Sequence, residues 1–215
     1  MPFASYKNLA MTIQAFELTY QETDFVIESA LSLNDRFKER FQILLREGVV
    51  DNSESAICEN LIAPVLTETW YHYRQDLLLW SHQALFYNED LSGVPDYILA
   101  QRSPLGKIVF DRPFCVAIEA KKDDFTAGWG QCGAEMVACQ KLNQTAVKAA
   151  EKKQTKPIFG IVSNGKIWEF AKLRDRALTK NIKPYRVSDL DELFAAVNYV
   201  FQQAQLATHA APTSD

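Results

Sequence analysis

Five short apolar or alternating runs, residues 82–89, 94–101, 114–121, 157–163 and 166–172, are split three and two by one long helical stretch between 121 and 157. This division constrains the fold more than any other feature. Antiparallel strands followed by a crossover helix and further strands specify a mixed sheet with helices on both faces. The runs are bounded by Ser92-Gly93, Ser103-Pro104-Leu105-Gly106, Arg112-Pro113 and Asn164-Gly165. The last is the strongest hairpin signal, because Asn-Gly accepts the positive φ of a two-residue turn.

The flanks are helical. Residues 12–20 alternate apolar and polar, which predicts a strand. Residues 23–47 carry Phe37, Phe41, Leu44 and Leu45 at helical spacing, with Gly48 as a stop. Asp51-Asn52-Ser53 can cap a helix running through about residue 76, with a break near Pro64. Leu77-Leu78-Leu79-Trp80 fits either strand or helix, and an amphipathic helix is predicted over 188–205. The division expected is an N-terminal strand and helix extension (1–50), an α/β domain (51–205) and a loose tail (206–215). Phe37, Phe41 and Leu44 make the extension a candidate dimerisation element, so a homodimer is expected.

Composition removes several classes. At 47% hydrophobic and 23% charged, the 215-residue chain can bury a core. No apolar run approaches the length of a membrane span. The four cysteines (Cys58, Cys115, Cys132, Cys139) form no CxxC pair, and none is spaced from a histidine like a zinc ligand. With no basic start followed by an apolar stretch near residue 1, a reducing, cytoplasmic compartment is expected.

The net charge of −4 conceals an asymmetry. Residues 141–186 hold 12 lysines and arginines against three acids. Such segregation can give an acidic protein a positive surface, and the phosphate backbone of nucleic acid is the partner that surface would suit. Lys122, Lys141, Lys148, Lys152, Lys153 and Lys166 are the expected backbone contacts.

Three charges interrupt otherwise apolar strands: Asp96 in Val94-Pro95-Asp96-Tyr97-Ile98-Leu99, and Glu119 and Lys121 in Phe114-Cys115-Val116-Ala117-Ile118-Glu119-Ala120-Lys121. An unpaired carboxylate there would cost several kcal/mol or take up a proton. Alternation along a strand puts Glu119 and Lys121 on one face. If the two runs form a hairpin about a midpoint between Lys107 and Ile108, Asp96 lies opposite Glu119, with Cβ atoms about 4.5–5.5 Å apart. Two carboxylates that close repel unless a cation lies between them, and their oxygens suit a hard ion such as Mg²⁺.

Pro95-Asp96 followed by Glu119-Ala120-Lys121 resembles the PD-(D/E)XK signature of restriction-endonuclease-like nucleases. The surrounding order of elements is similar to that superfamily's mixed central sheet flanked by helices, and residues 54–172 are similar to the nuclease domain of type I restriction motor subunits. The resemblance implies a metal-dependent nuclease, expected to be a DNA endonuclease using Mg²⁺, with Mn²⁺ able to substitute. Asp96 and Glu119 would bind the metal, with Ala120 counted in the metal set, and Lys121 would activate or position the attacking water. It further implies an acid on the preceding helix, Glu59 first and Glu54 second, and a polar residue on the following helix, Gln131. Some subfamilies carry a tyrosine four residues later; this chain has Glu135. The alternative expectation is a non-catalytic nucleic-acid-binding or assembly module that keeps the fold.

Gly128-Trp129-Gly130-Gln131-Cys132-Gly133 spells a dinucleotide-binding GxGxxG. Six residues separate it from the preceding strand, however, and the next strand ends in Ser163-Asn164 rather than in an acid. Close helix packing is the better account of its glycines.

Overall fold

The computed structural model describes residues 2–146 and 156–209. Among them, an eight-stranded mixed sheet lies between helices. A 3₁₀ turn (Phe3–Ser5) leads into α1 (Leu9–Phe16), β1 (Thr19–Glu22) and α2 (Asp35–Glu47). Next come α3 (Glu54–Ile57), a π-helical turn (Cys58–Ile62) and α4 (Ala63–Tyr73), which form one continuous helical rod. Then follow β2 (Leu77–Ser81), β3 (Leu85–Phe86), β4 (Ser92–Gly93), β5 (Tyr97–Arg102), β6 (Phe110–Ala120) and α5 (Phe125–Ala146). The chain ends in β7 (Ile158–Ser163), β8 (Ile167–Arg174), β9 (Ala177–Lys180), β10 (Tyr185–Arg186) and α6 (Leu190–His209).

The strand order is β1-β9-β8-β7-β6-β5-β2, with β10 also on β8. Strands β6 and β7 run parallel, and α5 is the crossover that joins them. One side of the sheet packs on α5, which α1 covers in turn, and the other on α4 and α6. Alternation along β6 serves both: Val116, Ile118 and Ala120 face α4 and α6, while Ala117 faces α5.

Several expectations need correction. Residues 9–16 are helical rather than extended, although 12–20 alternate. Leu9, Ile13 and Phe16 also fit a helical stripe and pack on the α5 side, and Asn8 caps the helix by accepting from Met11 N. The strand is confined to β1. The helix expected over 23–47 begins only at Asp35, because the amides of Phe25 and Val26 both donate to Asn181 Oδ1, at 2.8 and 3.0 Å. The break near Pro64 is the π-helical turn that precedes it, and Leu77–Ser81 is a strand.

Residues 1–50, expected as an extension, supply an edge strand to the same sheet. Phe41 is buried, and Phe37 packs edge-on against Phe194 of α6, so the apolar stripe of α2 is covered by the chain's own core. The Asn164-Gly165 hairpin forms, but only Gly165 takes positive φ. Asn164 instead accepts from the amides of Lys166 and Ile167 through its side chain, building the turn by its amide oxygen.

Candidate active site

The ends of strands bring the site together. His82 follows β2, Asp96 precedes β5, Lys121 follows β6, and the Asn164–Lys166 turn follows β7. The strand registers put all four at one end of the sheet, and α3, α5 and α6 each start there. In open α/β sheets this carboxyl end of the parallel strands is where ligands bind.

Pairing of Tyr97, Ile98 and Leu99 with Ile118, Ala117 and Val116 keeps the register anticipated for this hairpin. Extended by one residue, it sets Asp96 opposite Glu119. Bulges do occur, but beyond Leu99, at the far end of β5. The Ala120 amide donates to Asp96 Oδ2 at 2.7 Å, tying the aspartate to β6. Lys121 Nζ meets Glu119 Oε1 at 2.6 Å, as alternation requires, and Glu54 Oε1 lies 3.7 Å from the same ammonium. Asp96, Glu119 and Lys121 therefore form one connected cluster, with Ala120 contributing its amide.

The acid of the preceding helix that reaches this cluster is Glu54, in the first turn of α3 capped by Ser53. Glu59 lies in the π-helical turn, exposed, and its charge bears on Tyr97. Gln131 lies on the first half of α5 and donates to Glu135 Oε1 at 3.2 Å. Glu135 is fully buried, and the Glu119 charge bears on it. Sequence reasoning weighed Glu135 only as the replacement for a tyrosine. Its signal was present: a lone acid between Gly133-Ala134 and Met136-Val137-Ala138-Cys139, as anomalous on an apolar helix as Glu119 on an apolar strand. His82, which no sequence motif marks, also joins the site. Its Nε2 lies 3.4 Å from Asp96 Oδ1, its amide donates to the Asp96 carbonyl, and its φ of 50° is unusual for a side chain of that size.

Burial dominates the electrostatics. Desolvation, then the Asp96 charge, pushes the Glu119 carboxyl up to about 8. Desolvation and then the Glu119 charge hold Glu135 far above the usual carboxylate range. Asp96 is raised by burial against the lowering effect of the Ala120 amide. Burial alone would lower Lys121, but Glu119, Glu54 and Asp96 together outweigh it and raise the ammonium. Glu119 Oε2 and Glu135 Oε2 are buried with no hydrogen-bond donor. Those orphaned hard oxygens fit a divalent cation. Among the described residues no three His, Cys, Asp or Glu side chains gather into a metal-holding group. A cation held by Asp96 and Glu119 would thus complete its shell with main-chain, water or substrate oxygens, as Mg²⁺ commonly does.

The basic segment does not form one surface. Lys166 stands at the site end, while Arg174 and Arg176 stand at the opposite end of β8 and β9. Acids from elsewhere meet several of its charges: Lys166 pairs with Asp51 at 2.5 Å, Arg176 with Glu17 at 2.5 Å and Lys183 with Glu28 at 2.6 Å, while Lys180 pairs with the segment's own Glu169 at 2.8 Å. Lys122 Nζ donates to the Asn52 carbonyl at the site's rim, and Lys141 lies over the Tyr87 ring. Lys148, Lys152 and Lys153 lie outside the described residues.

The GxGxxG glycines are explained by close approach. A Cβ on Gly130 would strike the backbone of Tyr6 and Asn8, and one on Gly133 would crowd Leu9 and Thr12. One on Gly128 would meet Lys121 Cγ at 2.9 Å, so that glycine gives the lysine its path past α5. No described helix is long and apolar enough to cross a membrane.

No protein-family model and no curated protein matches the chain. Among solved structures it is similar to one described as the cryoEM structure of a DrdV–DNA complex, at 12% identity and a TM-score of 0.40. That likeness covers 82% of this chain and 14% of the other, so the chain spans about one seventh of its length.

Proposed function

We propose that this protein is a divalent-cation-dependent nuclease that hydrolyses phosphodiester bonds in DNA. One observation carries the reading: Asp96, Glu119 and Lys121, charges placed in apolar strands, meet in a single cluster at the carboxyl end of β6. A purely structural ion pair needs no second carboxylate beside it, and Asp96 raises the cost of ionising Glu119.

A divalent ion bound there supplies Lewis acidity toward the phosphate and lowers the pKa of a coordinated water. Asp96, anchored by the Ala120 amide, and Glu119 would hold it. Lys121 orients the attacking water and offsets charge developing on the phosphate. Its ammonium now lies on Glu119, the position a cation would share. Glu54, 3.7 Å from the Lys121 ammonium, would remain as a partner for it if Glu119 held a cation. Lys122 and Lys166 stand at the same end to meet the phosphate backbone, a contribution that weakens as salt rises.

Lys121→Ala tests the reading. The expected result is loss of Mg²⁺-dependent DNA cleavage by about 100-fold or more with the fold retained. Undiminished cleavage by purified Lys121→Ala protein would overturn it. The second reading is a nucleic-acid-binding or assembly module, favoured by the 2.6 Å Lys121–Glu119 pair that neutralises the site internally. It predicts DNA binding without cleavage by either protein.

A further inference from the structure

Between α2 and α3 the chain runs as a short link, residues 48–53, and this link with the first residue of α3 meets every lysine that the proposed chemistry uses. Asp51 Oδ2 holds Lys166 Nζ at 2.5 Å, the Asn52 carbonyl accepts from Lys122 Nζ at 3.4 Å, and Glu54 Oε1 lies 3.7 Å from Lys121 Nζ. Lys166 is 115 residues from Asp51 and Lys122 is 70 from Asn52, so the fold and not chain proximity brings them together. The link is fixed at both ends. Val50 is buried in the core on the α4 and α6 side, and the Ser53 hydroxyl accepts from the Ala56 amide to cap α3. The Asn164–Lys166 turn is fixed as well, because a Cβ on Gly165 would stand 2.6 Å from Leu61. Neither element can swing away as a lid would; only the partners of the side chains can change. The Lys166 and Asp51 side chains are 55% and 49% exposed, so a phosphate can reach the ammonium from solvent. Carboxylate and phosphodiester oxygens make the same charge-assisted bond to it.

We propose that this link is a built-in competitor for the phosphate backbone: Asp51 and the Asn52 carbonyl occupy Lys166 and Lys122 in the free protein, and DNA must displace them to bind. The proposal rests on the nuclease reading, whose two backbone-contacting lysines it takes over, and adds a restraint on substrate affinity. An exposed pair of this kind holds its partners weakly, so the exchange is reversible and sets a threshold rather than a block. It also masks charge. A lysine that trades Asp51 for a phosphate leaves an uncompensated carboxylate behind, so the contact releases no net counterion.

The test is fluorescence anisotropy of a short labelled DNA duplex with the intact protein in Ca²⁺, across a salt series. Asp51→Asn keeps the size of the side chain and removes its charge. It should tighten binding about three- to tenfold at low salt and steepen the slope of log K against log salt by about 0.9, the release expected from one added phosphate contact. The gain should vanish without the lysine: Lys166→Ala and the double variant Asp51→Asn/Lys166→Ala should bind within about twofold of each other. Affinity in Asp51→Asn equal to wild type, or weaker, would overturn the proposal and leave the nuclease reading to its own cleavage test. An equal gain in the Lys166→Ala background would also overturn it, since Asp51 would then act only as a repelling surface charge. No binding by wild type or Asp51→Asn at the lowest salt would remove the backbone contacts of the nuclease reading, and the proposal with them.

Discussion

The two sides of the central sheet solve the burial of polar groups differently. On the side of α4 and α6, polar groups are satisfied within the chain. Tyr73 Oη donates to Asn198 Oδ1 at 2.6 Å, Asn198 Nδ2 donates to the Ser29 carbonyl, and Thr69 Oγ1 bonds back to Val65. On the side of α5, the described residues keep buried side-chain atoms without partners: Glu119 Oε2, Glu135 Oε2 and Trp80 Nε1, the last packed into the same cluster. An unsatisfied buried group costs about 1–3 kcal/mol, more when charged, so its persistence marks a demand other than stability. The proposed chemistry lies on the α5 side, where these unpartnered atoms are.

Mutation separates the two roles. Asn198→Ala, on the satisfied side, leaves the buried Tyr73 hydroxyl only the longer bond to the residue-198 carbonyl and removes the donor to Ser29, and should lower stability by about 2 kcal/mol, or about 4–8 °C in melting temperature. Mn²⁺ affinity should be unchanged. A melting temperature like wild type, or a lost Mn²⁺ response, would erase the division between the sides.

A second effect should appear with pH. The Glu119 carboxyl rises from an ordinary 4.5 to about 8 in the folded protein. Between those values the folded state keeps a proton that the unfolded chain releases, so stability falls as pH rises through the window and is greatest below it. In chelator, wild type should lose melting temperature relative to Glu119→Gln between pH 5 and 8. Parallel melting curves for the two proteins across that range would count against the buried-acid account.

Much of this site was legible because a charge in an apolar strand is an anomaly that alternation places on a known face. Asp96, Glu119 and Lys121 were readable that way, and a constant register carried Asp96 to Glu119. Glu135 emits the same signal but on a helix, where an acid every few residues is ordinary until burial is known. Glu54 and Glu59 are five residues apart, too far to share a helix face, and the sequence does not say which of them meets the lysine. The basic segment misled because linear charge counts cannot anticipate long-range pairing: Glu17 lies 159 residues from Arg176, and Asp51 lies 115 from Lys166. In the fold, β1 escaped because helical and strand periods overlap over 12–20, and the partner strand β9 is remote in sequence.

The most direct measurement is nicking of supercoiled plasmid by the wild-type protein in Mg²⁺, with and without excess chelator. Conversion to open circles in Mg²⁺ that stops in chelator is the predicted result. Nicking that persists in chelator, or none at any Mg²⁺ concentration, would contradict a cation-dependent nuclease built on Asp96, Glu119 and Lys121.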